Sequence, residues 1–149
     1  MKKYDLSRFR SEHQFSYSVA LEEVKDGYKE THWMWYIFPQ IKGLGMSYNS
    51  RYFAIEDLDE AKLFLSDSYL GGNLVRICEA LLSLETNEPV KIFGFIDSMK
   101  LKSSMTLFKL ASGNDDNVFA KVLDKFFNGQ DDEKTIAIIG KNNDRNTYF

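Results

Sequence analysis

Apolar residues recur with a helical period along most of this chain. Behind Asp5, a good N-cap, they follow one helical face as far as Gly27, a typical helix stop. The same period predicts five more helices, which begin at Asp57, near Leu70, at Asp97, near Val118, and at Asp131 or Asp132. Residues 89–93 add a single turn that Gly94 ends, and the last helix is expected to end at Gly140.

Alternating patterns typical of strands are nearly missing. Only residues 51–55 read as a short extended piece, and no run of alternating segments joined by hairpin turns is present. The pattern therefore predicts an all-α, single-domain orthogonal bundle of about six to eight short helices. We expect residues 1–140 to form this helical domain and residues 141–149 to form a polar C-terminal tail.

Composition agrees with one folded domain. The chain has 149 residues, of which 44% are hydrophobic and 28% charged, far from the balance of disordered chains. The net charge is -3, and no cluster of Lys and Arg is dense enough to follow a phosphate backbone. We therefore expect no nucleic-acid partner.

Several other classes of protein are disfavoured. The single cysteine, Cys78, excludes an intrachain disulfide framework and reads as a small core residue. Neither HxxxH nor HExxH spacing occurs, so we expect no metal site and no cofactor. The chain shows no signal peptide at its start and no apolar run approaching ~18 residues, so a cytoplasmic protein without membrane contact is expected.

The candidate chemistry begins with an aromatic segment, residues 32–40, which contains both tryptophans of the chain. Large aromatic side chains with polar tips belong in a core or in the wall of a pocket. In a pocket, Trp33, Trp35 or Tyr36 would stack on a ring. His32 and Gln40 would hydrogen-bond the edge of that ring. His32 is the candidate acid or base, with a structural histidine as the alternative interpretation.

A second polar concentration lies in residues 97–106. On a helix Lys100 stands about one turn from Ser103 and Ser104, which places an ammonium group beside two hydroxyls, and Lys102 follows nearby. Such a face suits a phosphate or a carboxylate. The alternative is a solvated lysine face whose serines bond back to the helix backbone.

Two functional hypotheses follow. In the first, the two segments converge around a cavity that binds or processes a nucleotide-like or phosphate-bearing metabolite, with His32 facing the cavity. In the second, the domain is a protein-protein interaction module and the aromatic segment is its exposed partner surface, which requires Trp33 or Trp35 to be exposed. Both segments serving only as packing is a third interpretation. The sequence indicates neither a reaction nor an oligomeric state.

The chain also resembles the domain-of-unknown-function family numbered 1810, whose members are sometimes labelled calpastatin. The resemblance extends from residues 6–9 to the last helix and is carried by residues 32–40, Gly43, Gly45, Ser47, Leu70, Gly71, Phe93, Gly94, Asp97, residues 100–108, Gly129 and Asp131. It implies a small, largely helical bacterial-type domain with no assigned molecular role. The calpastatin label does not fit, because calpastatin-like inhibitors are disordered and repetitive, whereas this composition requires a core.

Overall fold

The computed structural model describes residues 4–114 and 116–147, and within them the chain forms eight α-helices and no strand. The helices are α1 (Ser7–Lys25), α2 (Met34–Ile37), α3 (Tyr48–Tyr52), α4 (Leu58–Ser66), α5 (Ser68–Ser83), α6 (Pro89–Ser112), α7 (Val118–Phe127) and α8 (Glu133–Thr147). The all-α prediction with six to eight helices is confirmed. Helix α6 packs against α4, α7 and α8, while α1 packs against α2 and α5.

Side-chain caps begin several of the helices, among them α4, α5 and α7. The Asp57 carboxylate accepts the Glu60 N–H at 3.0 Å at the start of α4, and Asp67 accepts the Leu70 N–H at 2.8 Å at the start of α5. The Asn117 side chain accepts the Ala120 N–H at 2.9 Å and starts α7 in the same way. Each bond satisfies a backbone donor that the first helical turn leaves without a partner.

Helix α6 is interrupted where the sequence predicted a break. Gly94 has φ 77° and ψ 168°, a conformation that is almost restricted to glycine. The helix resumes immediately at Phe95, so the predicted start at Asp97 was wrong. Asp97 lies in the first turn after the break, and its carboxylate pairs with lysines instead of capping the backbone.

Two other boundaries differ from the prediction. Part of the expected extended piece is the short helix α3, and only Ile55 pairs as a strand would, in an isolated parallel bridge with Ile41. Helix α8 continues past Gly140 to Thr147, because one glycine costs a helix only about 1 kcal/mol and no proline follows it. Residues 148 and 149 of the predicted tail lie outside the described residues.

The buried Glu23 carboxylate organises the loop between α1 and α2. It accepts hydrogen bonds from the Glu30 and Thr31 N–H groups at 2.8 and 3.0 Å and from the Thr31 hydroxyl at 2.6 Å. It also accepts the Trp33 indole N–H at 2.9 Å. Burial alone would raise the pKa of Glu23, but these hydrogen bonds to the charged form lower it to about 2.

His13 joins three helices from inside the core. Its Nε2–H donates to the Tyr36 carbonyl at 2.8 Å, and its Nδ1 accepts the Asn73 amide at 3.1 Å. Arg76 donates to the Asn73 side-chain oxygen at 2.6 Å, which turns the Asn73 NH₂ group toward His13 and selects the neutral Nε2–H tautomer. Burial lowers the pKa of His13. The imidazole is therefore a structural link between α1, α2 and α5.

The pair Gly71 and Gly72 supplies a matched stability test. A Cβ at Gly71 would lie 2.0 Å from the Leu65 carbonyl oxygen, whereas a Cβ at Gly72 would meet only the end of the Arg76 side chain at 3.4 Å. We expect Gly71→Ala to lower the free energy of unfolding by about 3 kcal/mol, because α4 must move away from α5. Gly72→Ala, the control, should leave it unchanged or raise it by up to about 1 kcal/mol. Urea denaturation measures both, and equal effects of the two substitutions would contradict the close packing at Gly71.

The Glu23 cluster predicts a specific acid sensitivity. Because folding lowers the pKa of Glu23 from 4.5 to about 2, its contribution to stability is complete above pH 4.5 and is lost as pH falls toward 2. Glu23→Gln keeps an acceptor for the N–H donors but removes the titration, so its stability should fall less steeply between pH 5 and about 3. The exposed neighbour Glu22→Gln is the control and should follow the wild type in denaturation series at each pH. A slope for Glu23→Gln equal to that of the wild type would refute this role of the carboxylate.

Candidate functional site

The aromatic segment and the second half of α6 meet through one carboxylate. Asp97 lies 2.9 Å from the Lys29 ammonium and 3.5 Å from the Lys100 ammonium. Lys29 Nζ lies 5.1 Å from the centre of the Trp33 ring, and Lys100 Nζ lies 5.0 Å from the centre of the Trp35 ring. Asp97 thus bridges Lys29 and Lys100, and each lysine lies over one tryptophan ring. These contacts attach residues 28–35 to α6.

Lys100 also lines an open groove of about 970 Å³ between the loop at residues 40–50, the second half of α6 and the start of α8. Its apolar part is formed by side chains from these three elements, namely Leu44, Phe95, Ile96, Met99 and Ile136. Its polar part consists of Gln40, Ser50, Lys100, Lys102, Ser103, Gln130, Asp131, Asp132, Glu133 and Lys134. The volume lies within the range of small-ligand sites.

Within the described residues, two of the six charged side chains that line this groove form ion pairs. Lys100 pairs with Asp97, and Asp131 pairs with Lys109. By contrast, no carboxylate in the described part of the chain forms an ion pair with Lys102. Lys102 is therefore a cation on the groove wall that can accept an anion without first giving up a partner.

The hydroxyl groups of α6 divide into paired and unpaired ones. Ser103 donates to the Met99 carbonyl at 3.1 Å, as the backbone-bonding interpretation expects, while its oxygen can still accept. The Ser104 hydroxyl and the Trp35 indole N–H are buried and lack a hydrogen-bond partner among the described residues. Both side chains belong to the surroundings of Lys100, since Ser104 follows it by one turn and Trp35 lies beneath its ammonium.

The structure brings together four of the residues singled out in the sequence. Gln40, Lys100, Lys102 and Ser103 line the same groove, and Trp35 reaches it through Lys100. Ser104 is fully buried and is not part of the groove lining. Of the aromatic segment, only Gln40 lines the groove directly, so the predicted cavity faced by His32 is not what the structure shows, and the binding roles of these residues remain predictions.

The other aromatic residues of the segment are held in the core. Trp33 is 1% exposed, and its indole N–H is bonded to Glu23. Tyr36 is also buried, and its hydroxyl lies 3.1 Å from Ser16 Oγ and 3.2 Å from the His32 carbonyl oxygen. Their predicted stacking on a ligand would require these packed side chains to move.

His32 does not share the groove. Its side chain is exposed and is not among the residues that line the three described depressions of the surface. Its predicted acid or base role is untested. The buried histidine is His13, which sequence reasoning passed over although it lies four residues after Phe9 and four before Tyr17 on the inner face of α1.

Sequence reasoning also missed Lys29 and the apolar wall of the groove. Phe95 and Ile96 follow Gly94 directly and are 67% and 70% exposed, and no role was assigned to them from the sequence. The signal in the sequence was the interruption itself, because a break resets which face of the helix is buried.

A second depression of about 500 Å³ is dominated by a structural arginine. Arg8 donates to the Tyr52 carbonyl at 2.9 Å and the Ala54 carbonyl at 2.8 Å, and it pairs with Glu60 at 3.2 Å. These bonds use the guanidinium to hold α1, α3 and α4 together. The groove along α6 is therefore the better candidate for a site.

No helix in the described residues is long and apolar enough to cross a membrane.

Comparison with known proteins supports both the fold and the resemblance. The conserved hypothetical protein Rv1873 from Mycobacterium tuberculosis has a similar crystal structure, with a TM-score of 0.88 and 36% sequence identity. The match covers 92% of this chain and 97% of that protein. No curated protein matches this chain.

The motifs quoted from the sequence indicated a family resemblance over nearly the whole chain, and this is confirmed. The model of the family described as "Protein of unknown function (DUF1810)" matches residues 3–139, and the chain therefore belongs to that family.

Proposed function

We propose that this protein binds a small metabolite in the groove along α6, with an apolar or ring-shaped body and an anionic group, as in a nucleotide-like or phosphate-bearing compound. The observation that carries the proposal is the meeting of exposed apolar side chains with Gln40, Lys102 and Ser103 in one groove. A mostly apolar concave surface with a few converging polar groups is the usual form of a ligand site.

The apolar wall supports binding of a hydrophobic or ring-shaped group. Phe95, Ile96, Met99 and Ile136 all belong to the groove, and all four are exposed. Grouped exposure of large apolar side chains is unfavourable in water unless a ligand or partner covers them. A ring of the ligand stacked on Phe95 would bury this apolar surface. Phe95 would then have the stacking role that the sequence suggested for Trp33 and Tyr36.

The polar wall supports binding of an anion. Lys102 has no acidic partner among the described residues, and the Ser103 oxygen and the Gln40 side chain lie in the same groove. Lys102 and these neutral groups suit a ligand with one anionic group. A ligand with several anionic groups fits less well, because the nearby Lys100 is already neutralised by Asp97.

The interaction-module hypothesis needs a different surface from the one predicted. Trp33 is buried and Trp35 is partly buried against the core, so the aromatic segment offers little area to a partner. The exposed side chains Phe95, Ile96 and Met99 would have to provide it. We favour the small ligand because these side chains form one wall of a groove that also contains polar groups.

The first test is a thermal-shift screen of nucleotides, sugar phosphates and common cofactors. A ligand at ~100 times its Kd stabilises the fold by about 2.7 kcal/mol, which should raise Tm by roughly 5 °C or more. Lys102→Gln should weaken binding of the hit about tenfold by losing the charge-assisted bond. Lys62→Gln, a change of an exposed lysine on α4, is the control and should bind like the wild type. A hit insensitive to Lys102→Gln would contradict the proposal.

Trp35 provides an internal reporter for the same site. Lys100 lies over its ring and lines the groove, so a bound anion that attracts Lys100 should change the emission of Trp35. We expect the hit from the screen to shift or quench tryptophan fluorescence in the wild type and to lose most of this effect in Trp35→Phe, in which buried Trp33 remains. A full response in Trp35→Phe would place the ligand elsewhere.

A further inference from the structure

The charges that line the groove are separated onto two walls. Lys100 and Lys102 come from α6, whereas the carboxylates of Asp131, Asp132 and Glu133 come from the start of α8 and the loop before it, where Lys134 is the single cation. With Lys134, the lining contains as many lysines as carboxylates, so it is formally neutral. This balance favours a ligand with both signs of charge over a polyanion.

One buried hydroxyl holds the two walls side by side. Thr106 Oγ1 donates to the Lys102 carbonyl at 2.8 Å and accepts the Asp132 N–H at 2.9 Å. Thr106 is fully buried, so this junction is protected from water. The backbone of the acidic wall therefore lies immediately beside the backbone of Lys102, and a small ligand can reach both.

The charges left available on the two walls are of opposite sign. On α6, Lys102 has no acidic partner among the described residues. On α8, one oxygen of Asp132 accepts from the Thr135 N–H and hydroxyl, which leaves the second oxygen, and no lysine or arginine in the described part of the chain pairs with Glu133. A polyanion attracted by Lys102 would therefore meet Asp132 and Glu133 as repulsive neighbours.

We infer that the ligand of this groove is a zwitterion of dipeptide size, with its carboxylate at Lys102, its ammonium at Asp132 and Glu133, and its apolar side chains against Phe95 and Ile96. The inference rests on the proposed function and specifies its ligand class. Two extended residues place the two charged ends of a dipeptide about 7 Å apart, so one small molecule of this kind can present opposite charges to the two walls.

The test compares three probes that share one apolar body. Leucyl-phenylalanine has both charges, N-acetyl-leucyl-phenylalanine has only the anion, and leucyl-phenylalaninamide has only the cation. Isothermal titration calorimetry with the full chain should give a Kd for leucyl-phenylalanine at least threefold lower than for either blocked probe. Glu133→Gln should weaken the free dipeptide and leave the N-acetylated probe unchanged or slightly improved. Glu79→Gln, an exposed change on α5, is the control.

The outcomes separate this inference from the proposed function. If the N-acetylated probe binds as tightly as the free dipeptide, or if only phosphate-bearing compounds bind and Lys102→Gln weakens them, the zwitterion is refuted and the anion site stands. If the free dipeptide does not bind, the inference is also refuted. If neither the peptides nor any compound of the metabolite screen binds, both proposals fail.

Discussion

The carboxylate of Glu23 carries the arrangement on which the site depends. A buried acid is tolerated only when its charge is satisfied, and here four donors from residues 30, 31 and 33 converge on it. Those donors turn the loop after α1 so that Trp33 enters the core and Lys29 faces α6. The Lys29 N–H donates to the Ile92 carbonyl at 2.8 Å, and its ammonium reaches Asp97. Glu23, which lies outside the groove, thus helps to position the part of α6 that forms the groove wall.

Asp97 connects the loop after α1 to α6 and also sets the charge of the groove. By pairing with both Lys29 and Lys100 it neutralises much of the cationic character that residues 97–106 display in the sequence. Lys102, two residues further along α6, lines the same groove but does not pair with Asp97. The same acid that attaches the aromatic segment to α6 therefore leaves the groove suited to a single anionic group.

Local pattern was sufficient for most of the fold and for part of the lining of the proposed groove. Capping residues such as Asp57 and Asp67 act within one turn, so their effect is visible in the sequence. Gln40 and Lys102 line one groove as the hypothesis required, but His32, which the hypothesis also placed there, does not. What failed depends on tertiary packing: whether a histidine is buried is decided by neighbouring helices, which enclose His13 and leave His32 exposed. The partners of Asp97 are likewise remote in sequence.

The exposure of Phe95 and Ile96 follows from the break at Gly94. Before the break, Ile92 and Phe93 point into the core, where Phe93 packs edge-on against Trp33 and Phe38. In a continuous helix, successive side chains point about 100° apart around the helix axis. The conformation of Gly94 breaks this order and restarts the helix in a new direction. The next two apolar residues then face solvent at the mouth of the groove. Since a side chain at position 94 would be strained at φ 77°, the glycine that interrupts α6 is also what exposes the apolar wall of the site.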